Sequence, residues 1–162
     1  MTAKDVIKNT LDFCRMVTVE YLKDFSDADL LVRPVPAANH SAWQLGHLIT
    51  SEHEMISALG HKMPELPAGF VERYTRESAR SDQPAEFATK QEYFGLLEKI
   101  RAGTLAALNA TPEADLEKPA PESMRAYAPT VSAVFLITGT HELMHAGQFV
   151  TVRRKLGKPV LF

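Results

Sequence analysis

Apolar residues in this chain recur at α-helical spacing in four separate runs, and proline-rich segments divide the runs. From about Ala3 to Phe25 they are Val6, Ile7, Leu11, Cys14, Val17, Tyr21, Leu22 and Phe25, one stripe roughly 160° wide on a helix. Thr2 is placed to cap its start. A second run begins near Asn39–Ser41 and continues to Leu59, with Leu45, Leu48, Ile49, Ile56 and Leu59 on its apolar arc and Gly60 as its stop. Glu52 falls inside that arc, so it is either a buried acid with a partner or a sign that the helix is rotated. The third run follows the capping-box sequence Thr89-Lys90-Gln91-Glu92 and reaches about Asn109. Its buried stripe is Tyr93, Leu96, Leu97, Ile100, Thr104, Ala107 and Leu108; Gly95 and Gly103 interrupt it, which close packing against a neighbour would explain. The fourth starts at Pro129-Thr130, continues to Leu156 and is ended by Gly157 and Pro159.

Four such helices, with no strand pattern and no internal repeat, predict an all-α fold, a four-helix bundle in a single domain over residues 1–162. The connections at 61–88 and 110–128 are too long for a simple up-down-up-down order. The first of them should contain short helical pieces or serve function, and it is a candidate wall for a binding pocket.

Composition removes several function classes. A net charge of −2 and a pI near 6.3 give no reason to expect nucleic-acid or membrane binding. The stretch from Val131 to Thr138 is too short to span a bilayer, and the charged N-terminus (Lys4, Asp5, Lys8) does not read as a signal peptide. A single cysteine, Cys14, excludes an internal disulfide framework and suits a reducing cytoplasm. Within the first stripe it reads as a small buried hydrophobe rather than a reactive thiol. There is no glycine-rich phosphate loop, no C-x-x-C pair and no nucleophile elbow.

Histidine remains, at positions 40, 47, 53, 61, 141 and 145. His141 and His145 lie four residues apart in the last helix, about 40° apart around it and about 6 Å along it, so both imidazoles can face one cation. Val134, Thr138, Gln148, Phe149 and Val152 share their stripe. The pentapeptide His141-Glu142-Leu143-Met144-His145 also spells the H-E-x-x-H of zinc proteases. Those enzymes complete their site with a downstream ligand, and Ala146 to Phe162 contains no His, Asp or Glu. Glu142 is therefore expected to be a bystander, and a third ligand must come from upstream. His47 sits at the border of the second helix's apolar arc, where periodicity leaves it open between a ligand and a half-exposed histidine. His53 lies on a more polar side, and His40 and His61 are in or beside loops.

Trp43-Gln44-Leu45-Gly46-His47, together with His141-x-x-x-His145-Ala146-Gly147-Gln148, then Arg153, Arg154 and Leu156-Gly157-Lys158-Pro159, resembles the DinB-like family, which includes YfiT-type proteins. The resemblance covers nearly the whole chain. It implies a DinB-like four-helix bundle that holds a divalent metal, zinc or nickel, on three histidines, here His47, His141 and His145, and that can form a homodimer. It also implies a small-molecule substrate: characterised relatives transfer or isomerise with low-molecular-weight thiols, while many have no assigned activity. Many relatives carry another histidine directly before the last ligand, where this chain has Met144. The expected function is thus a metal-dependent thiol S-transferase or isomerase. The alternatives are a metal-dependent hydrolase and a non-enzymatic stress-response metal-binding protein. Gln44 and Gln148, one turn from the ligands, are expected to orient a ligand or an imidazole.

Overall fold

A computed structural model describes residues 1–161. Its long helices are α1 (Ala3–Leu22), α3 (Ser41–Ala58), α4 (Lys90–Ala110) and α5 (Val131–Lys155), with a single-turn α2 (Asp27–Leu30) after α1. No β-strand occurs among the described residues, and an isolated bridge joins Pro119 to Thr130. The helix starts follow local chemistry. Thr2 with Asp5, Ser26 with Asp29 and Thr89 with Glu92 each form a reciprocal capping box, which satisfies backbone N–H groups that the first turn cannot. Gly60 and Gly157 end α3 and α5 at φ values of 88° and 69°, a left-handed conformation that side chains with a Cβ resist.

The packing is a closed ring: α1 lies on α5, α5 on α3, α3 on α4, and α4 back on α1. Helices consecutive in sequence are therefore not always neighbours: the second long connection joins α4 to α5, which do not pair in this ring, whereas the first joins the packed pair α3 and α4. This order sets α3 directly against α5 and brings the histidines of the two helices together. The core is apolar along the inner stripes, with Leu11, Leu45, Ile56, Ile100, Phe135 and Phe149 fully buried. Val6, counted with the α1 stripe in sequence, is exposed.

The two connections take different routes. Residues 61–88 contain short 3-10 turns and pack beside the first half of α3. Tyr74 fills a notch at Gly46, where an added Cβ would lie 2.0 Å from its ring, and its hydroxyl meets that of Tyr93 at 2.7 Å. Gly103 likewise admits Pro64, whereas nothing approaches Gly95. The second connection is tied to the start of α5 by Ala120 N–H to Pro129 O, Val131 N–H to Lys118 O and Ser132 N–H to Leu116 O. Its Ala120, Met124 and Ala128 join Met55 and Val134 in a small apolar cluster of their own.

Candidate metal centre

His47 on α3 and His141 and His145 on α5 each bring a ligand nitrogen to within 4.8 Å of the others. The Nε2 atoms of His141 and His145 are 3.2 Å apart. Two nitrogens bound to one tetrahedral zinc at about 2.0–2.1 Å would be separated by about 3.3–3.4 Å, so the spacing fits a shared ion. The donor set also fits, since imidazole suits zinc and nickel. No fourth His, Cys, Asp or Glu belongs to this group among the described residues. His53 stays outside it.

Two of the rings are held by residues outside the triad, and His141 is in contact with both of them. His145 Nδ1–H donates to Gln44 Oε1 at 2.8 Å, while the Gln44 amide nitrogen donates to Asn39 O at 2.8 Å. The second bond fixes which end of the amide is the acceptor, so the proton of His145 sits on Nδ1 and Nε2 presents its lone pair. Gln44 thus performs the orienting role expected of it; Gln148 is exposed and directed away from the core. His47 stacks on Trp43, with ring centroids 5.1 Å apart and planes 7° from parallel, and the indole N–H donates to Thr75 O. The rest of the motif has parallel reasons: Trp43 and Gln44 each position a histidine, and Gly46 admits Tyr74.

All three imidazoles are neutral at ordinary pH. Burial pushes their pKa values down, His47 by that cause alone, and neighbouring imidazoles add to the effect at the other two, so that His141 falls to about 4 and His145 to about 3. Neutral imidazole is the form that ligates metal.

Glu142 points elsewhere. Its carboxylate accepts from Arg15 Nε and Arg101 Nη2, both at 2.7 Å. Glu52, the acid inside the α3 arc, accepts from Arg101 Nε at 2.8 Å and from the Thr104 hydroxyl at 2.7 Å. Burial alone would raise the Glu52 carboxyl, but Arg101, Arg15 and Thr104 outweigh it and hold it below the usual range. Arg101 also donates to Leu11 O. One ionic side chain from each of α1, α3, α4 and α5 meets inside the bundle. Glu142 is therefore no bystander: it is part of a buried ion cluster, and as such it is unavailable as a general base. Sequence reasoning missed Arg15 and Arg101, although both lie at helical spacing within buried stripes, Arg101 between Leu97, Thr104 and Leu108. Cys14 is buried beside Gly139, with burial and Glu142 raising its thiol pKa, as its place in the stripe predicted.

A cavity of about 520 Å³ opens at the triad, with His47 and His141 in its lining. Met55, Met124, Tyr127, Ile137 and Met144 supply an apolar wall, and Ser51, Glu54 and Thr140 supply polar groups. No residue of 61–88 lines it, contrary to the expectation from sequence. That segment is committed to the Gly46 notch and to Trp43, so the second connection forms the wall instead.

No helix of the described residues is long and apolar enough to cross a membrane. No curated protein matches the chain significantly. The fold is similar to that in the crystal structure of a conserved protein from Enterococcus faecalis, with a TM-score of 0.72 at 23% sequence identity, over 98% of this chain and 99% of that one. The model of the DinB superfamily matches residues 10–149, which take in the whole of α3 and α4 and all three histidines. By that match the chain belongs to the DinB superfamily.

Proposed function

We propose that His47, His141 and His145 bind one divalent cation, zinc or nickel, and that the protein is a thiol-dependent S-transferase or isomerase acting on a small molecule. The observation that carries this reading is three converging imidazole nitrogens, two of whose rings line an open cavity. A structural zinc site is closed by four protein ligands, whereas a site that meets substrate keeps a position free. When bound, such an ion acts as a Lewis acid that lowers the pKa of a thiol or water at that position. The chain's own residues do the rest. Three neutral ligands leave the positive charge available to an anionic donor atom. Gln44 and Trp43 hold the imidazoles in place, and the methionine-rich wall reduces competition from water. A hydrolase using water in place of the thiol shares this geometry, and thiol dependence of turnover separates the two. A reducing cytoplasmic setting suits the single buried cysteine. A homodimer would cover Phe13 and Met16 on α1 and Leu143 on α5, all exposed.

The test begins with elemental analysis. Purified protein is expected to carry about one divalent ion per chain, and His141→Ala to lose it. Full stoichiometry retained in that variant rejects the triad. The intact metalloprotein is then supplied with an electrophilic acceptor, with and without a small thiol. Turnover that does not need the thiol assigns the hydrolase.

A further inference from the structure

The cavity at the triad has an asymmetry of charge. Among the described residues neither lysine nor arginine lines it, and Glu54 is its one carboxylate. Away from the histidines, the uncharged lining is Met55, Met124, Met144, Ile137 and Tyr127, with the hydroxyls of Ser51 and Thr140, and the methionine side chains adapt their shape to an apolar guest. Its volume of about 520 Å³ is within the range of roughly 300–1,000 Å³ that small organic ligands fill. The nearest guanidinium groups of the core, Arg15 and Arg101, are bonded to Glu52 and Glu142 and do not reach the lining.

From this we infer that the pocket selects ligands with a single anionic donor atom on an otherwise uncharged, apolar body, and discriminates against ligands that carry a second anionic group. The inference rests on the metal reading above, because the bound ion is the positive charge that receives the donor atom. A second carboxylate or phosphate too far from the donor atom to reach the ion would lose water against the largely apolar wall and find no lysine or arginine to replace it. Nucleotide-bearing and polycarboxylate thiols are thereby disfavoured. An amino group is tolerated near Glu54, and the carboxylate's exposure keeps that gain small.

Cobalt(II)-loaded protein provides the test, since sulfur ligation gives charge-transfer absorption independent of turnover. Phenylmethanethiol, 2-aminoethanethiol and 4-(sulfanylmethyl)benzoate, whose carboxylate lies too far from the sulfur to chelate the ion, are titrated in parallel. Phenylmethanethiol is expected to bind at least about tenfold more tightly than 4-(sulfanylmethyl)benzoate. Met144→Lys, at an exposed position that does not bear on folding, is expected to narrow that gap severalfold by placing a cation in the wall. Glu54→Gln is expected to weaken 2-aminoethanethiol slightly relative to phenylmethanethiol. 4-(Sulfanylmethyl)benzoate binding as tightly as phenylmethanethiol, or a gap unmoved by Met144→Lys, overturns the selectivity while leaving the metal site standing. Protein that takes up no cobalt(II) overturns the metal reading and the selectivity with it.

Discussion

Two polar islands occupy the bundle between α3 and α5, and the pentapeptide at 141–145 contributes to both. His141 and His145 turn toward His47, while Glu142, next in sequence to His141, turns toward Arg15 and Arg101. The islands are opposite in character. In the ion cluster two cations face two carboxylates, and every carboxylate oxygen is engaged. Its loose ends are the Nη atoms of Arg15, one of which lies 3.6 Å from Glu52. In the histidine group uncharged acceptors face one another and a cavity, with no cationic side chain among them. Burial by itself does not mark a functional site. A polar cluster that satisfies itself holds helices together, and one whose lone pairs converge on a common point is arranged for something to be added.

The largest effect that would test this contrast lies in the ion cluster. Arg101→Met removes hydrogen bonds to both carboxylates and to Leu11 O, leaving Arg15 as the one cation of the cluster and the Thr104 hydroxyl on Glu52. Breaking a buried pair in this way costs about 3–5 kcal/mol. Urea denaturation should show that loss, while cobalt(II) under native conditions still binds at about one per chain. A variant of near wild-type stability that no longer binds metal would reverse the roles assigned to the islands.

A smaller effect is expected at the histidine group. Gln44→Leu removes the acceptor for His145 Nδ1–H and frees the ring to change tautomer. Loss of such an orienting partner weakens metal binding about 10–100-fold. Competition with a chelator measures this directly. Unchanged affinity would mean that helix packing alone orients His145, and that Gln44 serves only the α3 N-terminus through Asn39.

These differences also explain what was legible in sequence. Thr2 with Asp5 and Thr89 with Glu92 interact within one turn, so the helix starts follow from local pattern. The i,i+4 spacing of His141 and His145 is equally local. His47 was undecided by periodicity because its position at the edge of the α3 arc gains meaning only when α5 lies alongside. The ion cluster depends wholly on the ring order of the helices: Arg101 is within a buried stripe, but the choice of Glu52 and Glu142 as partners is made across the bundle. The cavity wall was misassigned for the same reason. Which long connection covers the triad is decided by where Tyr74 and Met124 pack, and spacing along the chain carries no record of it.

The smallest effect separates a buried histidine that is finished from those that are not. His40 is fully buried, like the rings of the triad in being neutral, yet both its nitrogens are used within the protein. Nδ1 accepts from the Trp43 N–H at 3.1 Å, capping α3, and Nε2–H donates to Ser81 O at 3.1 Å. Burial pushes its pKa down in the folded state, whereas in the unfolded chain a histidine takes up a proton near pH 6.5, at about the ordinary value. Below that pH the unfolded chain therefore binds more protons than the folded one. His40's contribution to stability is complete above about pH 6.5 and declines as the pH falls toward its lowered folded value. His40→Asn retains a capping side chain and removes the titrating group. Denaturation of the metal-free protein at pH 7.5 and pH 5 should show a smaller loss on acidification in the variant than in the wild type. The triad histidines are present in both, so the difference isolates His40. An identical loss would show that His40 takes no part in the acid sensitivity of the bundle.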